Sequence, residues 1–86
     1  MAIEHLDWAL ELRDVSPAAK LLAIHIADMV DFEGRTRILA MQEVATFVCV
    51  NNFELRAAIA ELVEKHRFKC RQYSPEIIQF VWPERA

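Results

Sequence analysis

Between Lys65 and Arg71 the run KHRFKCR places four permanent cations, Lys65, Arg67, Lys69 and Arg71, within seven residues, with His66 as a titratable fifth. Ammonium and guanidinium groups of this kind hold phosphate oxygens, the guanidinium fork bidentately. If the run is extended, Lys69 and Arg71 share one face and Phe68 and Cys70 the other, because strand side chains alternate. Arg35 and Arg37, earlier in the chain, add to the same chemistry. Asn51, Asn52 and Arg56 precede the run, and their side chains match the paired hydrogen-bonding groups on adenine and guanine edges. A solvated strand face with scattered lysine and arginine is the plainer reading, and it stands beside phosphate contact.

Catalytic chemistry finds little support. His5, His25 and His66 are far apart, and none has metal-ligand spacing to a cysteine or carboxylate. His25 lies three residues before Asp28, which can satisfy one ring nitrogen. Cys49 has no base nearby in sequence, so a buried, inert thiol is expected there. Cys49 and Cys70 form no CxxC pair and are expected to be free, as in a cytoplasmic protein; a disulfide between them is the alternative. With Gly34 the single glycine, a glycine-rich phosphate loop is excluded. Neither an enzyme, nor a metal, nor a cofactor is expected.

The elements that must position these residues fit one domain, residues 1–86, of 55 % apolar composition. No apolar run approaches the roughly 20 residues of a membrane span, and the first residues do not read as a leader peptide. The net charge of −3 does not advertise a nucleic-acid partner. Its distribution is more informative. Residues 1–34 carry two basic and seven acidic side chains, whereas residues 35–86 carry eight basic and six acidic ones. Positive charge therefore gathers where the phosphate-binding candidates lie.

Residues 2–13 fit either a short helix or an extended arm. Ser16 and Pro17 suit the cap and first position of a helix running to about Asp31, with Leu21, Leu22, Ile26, Met29 and Val30 in its apolar arc. RTRILA reads as a short strand. A helix from Met41 to Val48 with Val44, Ala45 and Val48 inward leads to the turn CVNN, and Asn51 or Asn52 caps a helix reaching about Lys65 on Leu55, Ala58, Ile59 and Leu62. FKCRQY and IIQFVW, joined by SPE, read as a β-hairpin.

At EVATFVCVNNFELRAAIAELVEKHRF the chain resembles the helix-turn-helix of winged-helix DNA-binding proteins. Val44 and Ala45 stand where such motifs place a bulky and then a small apolar residue. Val50 fills the apolar turn position and Asn51 the cap. Upstream, WALELRDVSPAAKLLAIHIADMVDFEGR is similar to the opening of a family found in phage and plasmid replication initiators and small regulators. The resemblance spans about residues 8 to 82. It implies a mainly α fold of three helices plus a small β-hairpin wing, with the helix-turn-helix at about 41–65 and the wing at about 67–82. Cys49 and His66 depart from it, because glycine is commonest at both places; backbone there either avoids positive φ or adopts it under strain.

By that resemblance the helix after CVNN enters the major groove of double-stranded DNA, with Asn51, Asn52 and Arg56 toward bases and Arg35, Arg37, Lys65, Arg67, Lys69 and Arg71 toward phosphates. A small regulator of transcription or replication, from a phage or mobile element, is the implied role; a homodimer would strengthen it, since a domain this small usually needs two half-sites for specificity. Glu54, Glu61 and Glu64 oppose it, since residues 51–64 sum to −2. The wing is short, and Glu76 has the wrong sign for a minor-groove probe. These features favour a second reading, a protein-interaction module such as a phage-encoded inhibitor of a host protein or an anti-defence factor. Its interface would use Phe53, Glu54, Glu61, Trp8 and Trp82. Phe53 either folds back onto the preceding turn or anchors a partner; the two tryptophans either cap one end of the core together or line a dimer interface.

Overall fold

Ser16 starts the first long helix in the way its side chain allows: its Oγ accepts from the Ala19 amide at 3.2 Å, and Pro17, which has no N–H to lose, occupies the first turn. The computed structural model describes residues 3–83. Helix α1 spans Ile3–Leu10, so the N-terminal segment is helical rather than an extended arm. Helix α2, Pro17–Met29, buries Ala19, Leu22, Ala23, Ile26 and Ala27 and packs against α1 and the two later helices. It ends two residues before Asp31, at extended Val30. Asp31 then closes the turn, its Oδ1 accepting from the Glu33 and Arg35 amides at 2.8 and 3.1 Å. Gly34 completes that turn at φ +80°, a conformation available to glycine at little cost.

Strand β1 is only Leu39–Ala40, with an isolated bridge from Arg35 to Val81 upstream. Thr36, buried between them, replaces part of the missing ladder. Its backbone N–H donates to the Phe80 carbonyl at 3.0 Å and its Oγ1 accepts from the Phe80 amide at 3.1 Å. Helix α3, Met41–Val48, buries Met41, Val44, Ala45 and Val48, as the sequence spacing predicts. Helix α4, Asn52–His66, buries Leu55, Ala58 and Leu62 and is capped by Asn51. Strands β2, Lys69–Ser74, and β3, Ile77–Val81, form the hairpin.

The three strands form one antiparallel sheet in the order β1-β3-β2, which leaves β2 at an edge. Among the described residues the architecture is therefore mixed, with four helices and a three-stranded sheet, rather than three helices and a hairpin. The inner face of the sheet contributes Leu39, Ile78 and Phe80 to a core shared with Leu22, Ile26, Val44 and Leu62. Burying a side chain of this size stabilises by about 1.5–3 kcal/mol. At one end of the core Trp8 and Trp82 meet edge to face at 5.5 Å, and Phe68 meets Trp82 at 5.0 Å. The tryptophans thus cap the core together. Trp82 is only 5 % exposed and is not part of a surface interface, because the aromatic cluster and His5, stacked at 4.6 Å, enclose it.

Candidate nucleic-acid interface

Three acidic residues on α4 argue in sequence against an anionic ligand, and the structure divides them. Glu54 closes a capping box with Asn51: the Glu54 amide donates to Asn51 Oδ1 at 2.8 Å, and the Asn51 amide donates to Glu54 Oε1 at 3.2 Å. Glu61 does not face outward as expected. Ser16 donates to it twice, through Oγ to Oε1 and through the amide to Oε2, both at 2.8 Å. The reason is position: α4 crosses α2 at the very end whose amides lack helical partners, and a carboxylate is favoured there. Burial opposes the charge of Glu61, but the two Ser16 donors outweigh it and hold the carboxyl below its ordinary pKa. Glu64 remains on the solvent side.

What α4 presents outward is then Asn52, Phe53, Arg56, Ala57 and Ala60, all exposed. The Asn51 side chain is exposed too, but its oxygen is held by the Glu54 amide. Arg56 leans toward the hairpin turn, donating from Nη2 to the Pro75 carbonyl at 3.3 Å. Phe53 does not fold back onto the preceding turn. It is 83 % exposed, because the first turn of α4 projects it beyond the apolar stripe that Leu55 begins. It borders a shallow apolar groove of about 680 Å³ shared with Pro17, Leu21, Val48 and Val50.

The six phosphate candidates separate into two groups. Lys65 donates to the Asp14 carbonyl at 2.8 Å and lies 3.7 Å from Glu61, so it ties α4 to the α1–α2 connection. His66 joins it there, with Nε2 3.0 Å from Asp14 Oδ1 and its ring edge-on to Trp8 at 5.3 Å. That contact holds the Asp14 carboxyl below its ordinary pKa. Arg37 pairs with Glu43 at 2.9 Å, which lowers the Glu43 pKa in turn, and Arg35 pairs with Glu33 at 2.8 Å. Arg67, Lys69 and Arg71 are exposed and, among the described residues, carry no ion pair or side-chain hydrogen bond. Lys69 and Arg71 do alternate with Cys70 and Phe68: the first two are exposed, Phe68 is buried, and burial raises the Cys70 thiol pKa. Lys69, Arg71 and Arg35 line one open cleft of about 610 Å³ with Gln79 and Val81.

Three further expectations need correction. Cys49 is an exposed thiol, not a buried one, and it takes φ +64° to close α3, with its amide reaching back toward Ala45 and Thr46 carbonyls. After α4 the left-handed residue is Arg67, φ +61°, not His66, because the helix runs to His66, one residue beyond the expected Lys65. Asp28 makes no hydrogen bond to His25, whose buried Nδ1 is unpartnered and whose ring stacks on Phe47 at 3.8 Å. Burial lowers the His25 pKa, and Asp28 opposes this only through its charge. Both cysteines are free. No described helix is long and apolar enough to cross a membrane.

No family model, curated protein or solved structure matches this chain.

Proposed function

We propose that this chain is a small winged-helix protein that binds double-stranded DNA, with α4 in the major groove and the hairpin base along phosphates. The observation that carries the reading is the fate of the α4 carboxylates. Glu61 is turned away to Ser16 and Glu54 is held in the α4 capping box, so Asn52 and Arg56 share the outward face with one capped carboxylate rather than with two unpartnered ones. Arg67, Lys69 and Arg71 follow as unpaired cations. Phosphate contacts supply most of the affinity in such complexes, and one or two bidentate base contacts supply discrimination. The long, exposed hydrogen bond from Arg56 to Pro75 is one that a guanine edge can displace. Regulation of transcription or replication in a phage or mobile element is the role the sequence resemblance supports.

A second reading, docking on a protein, is favoured by one observation: Phe53 stands free beside the apolar groove of Pro17, Leu21, Val48 and Val50. Exposed aromatics flanked by apolar depressions are the usual anchors of protein interfaces.

Amide NMR shifts during titration with a short mixed-sequence duplex test the proposal. DNA binding is expected to move Asn52, Arg56, Arg67, Lys69 and Arg71 together. Shifts confined to other surfaces, or none at low salt, would reject it.

A further inference from the structure

The outer face of the sheet carries a second arrangement that the helix-centred reading leaves unused. In the β2–β3 ladder Lys69 faces Val81 and Arg71 faces Gln79, and across β3 the isolated bridge sets Arg35 opposite Val81. Residues directly opposite each other in an antiparallel pair share a face. Arg35 and Lys69 therefore flank Val81 on one face, with Arg71 two residues along from Lys69, about 7 Å away by strand rise. The register then slips: Gln72 pairs with Ile78 but Ser74 pairs with Ile77, which leaves Tyr73 as an extra residue in a bulge. Tyr73 stands two residues beyond Arg71, so strand alternation keeps it over the same face. Its hydroxyl donates to Gln79 Oε1 at 3.0 Å, and Gln79 Nε2 donates in turn to the Thr36 carbonyl at 2.8 Å. Gln79 thereby anchors the hydroxyl end of a ring that is still 54 % exposed.

A fixed, half-exposed aromatic ring on the sheet face that carries three cations is the arrangement that receives unpaired bases and their backbone. A duplex offers such a ring nothing to stack on, because its bases are already stacked. We propose that the outer face of the sheet binds single-stranded nucleic acid, with Tyr73 stacking on a base and Arg71, Lys69 and Arg35 holding successive phosphates. The Glu33 carboxylate that pairs with Arg35 is half exposed, so a phosphate can replace it. On the same face Val81 lies between Arg35 and Lys69, and Ile77 lies two residues from Gln79, opposite Ser74. This goes beyond the duplex reading and stands on different residues, Tyr73 and Arg35; Lys69 and Arg71 serve both. Together the two faces suit a duplex bordering an opened strand.

The test is fluorescence anisotropy of a labelled 12-nucleotide oligothymidine at low salt, run beside a labelled duplex of mixed sequence. Saturable binding of the oligothymidine is expected, weakened about tenfold or more by Tyr73→Ala, since loss of one stacked base has an effect of that order. Tyr73→Phe should retain it, and Tyr73→Ala should leave duplex binding unchanged. Arg56→Ala should weaken the duplex and spare the single strand. Thermal melts of each variant confirm that it is folded. Absent single-strand binding by the intact protein overturns the inference and leaves the duplex reading standing; single-strand binding equal in wild type and Tyr73→Ala also overturns it. Tyr73-dependent single-strand binding without duplex binding overturns the duplex reading alone.

Discussion

The Glu61 carboxylate accepts both the hydroxyl and the amide hydrogen of Ser16, each at 2.8 Å, across 45 residues of sequence. One contact thus caps α2, docks α4 on it and removes a negative charge from the face of α4. Substituting Glu61 by alanine leaves the Ser16 donors short of a partner in a part-buried site, which costs about 1–3 kcal/mol. Urea denaturation of Glu61→Ala checks this against Glu64→Ala, whose exposed side chain should change stability by less than about 0.5 kcal/mol. Equal effects at the two positions would show that Glu61 is not a cap.

The same carboxylate sets an acid limit. The pKa values of Glu61, Glu43, Asp31 and Asp14 are all lowered in the folded chain. The unfolded chain then binds more protons in this range, so stability rises with pH there. Their contribution is complete above the unfolded values near 4 and is lost as pH falls through the folded ones. Stability should accordingly drop below about pH 4.5. Glu61→Gln should show a shallower drop than the parent in urea melts across pH 2.5 to 6; an unchanged slope would contradict the capping assignment.

Cys49 sits at φ +64°, where a side chain costs about 1–2 kcal/mol relative to right-handed backbone. Glycine removes that cost but adds about 0.5–1 kcal/mol of unfolded-state entropy. Relief is the larger of the two, so Cys49→Gly is expected to stabilise the protein by about 0.5–1 kcal/mol. Loss of stability in a chemical melt would mean that the thiol makes contacts worth more than the strain.

Phe53 and Phe80 provide a paired check on packing. Phe80→Ala empties a buried site on the sheet and should cost about 3–5 kcal/mol. Phe53→Ala, on an exposed ring, should stay within about 0.5 kcal/mol. A large loss at Phe53 would place that ring in the fold rather than on its surface.

The parts of this fold that depend on neighbours in sequence are legible from the residues alone. The Asn51-Asn52 pair announces a helix cap, Ser16-Pro17 a helix start, and the spacing of Val44, Ala45 and Val48 the inner face of α3. FKCRQY and IIQFVW announce the hairpin, because alternation and a Ser-Pro turn are local signals. The outward role expected of Glu61 fails because Ser16 lies 45 residues away, and no helical period reveals which distant amides a carboxylate will meet. The pairing of Arg37 with Glu43 is hidden for another reason: it joins the irregular segment before β1 to the first turn of α3, where no single period applies. Alternation alone sets Tyr73 on the face of Lys69 and Arg71; what the sequence does not show is the Gln79 contact that fixes its ring, because the hairpin register chooses that partner. Cys49 and Arg67 show the converse. The positions that need left-handed backbone are nearly visible in the sequence, but residues other than glycine fill them.

Salt dependence of duplex binding tests the central claim most directly. If Arg67, Lys69 and Arg71 engage phosphates, fluorescence anisotropy with a mixed-sequence duplex should show weak binding near about 50 mM salt. The logarithm of the association constant should then fall against the logarithm of salt with a slope of about −3. No binding at that salt, or binding indifferent to it, would contradict the account.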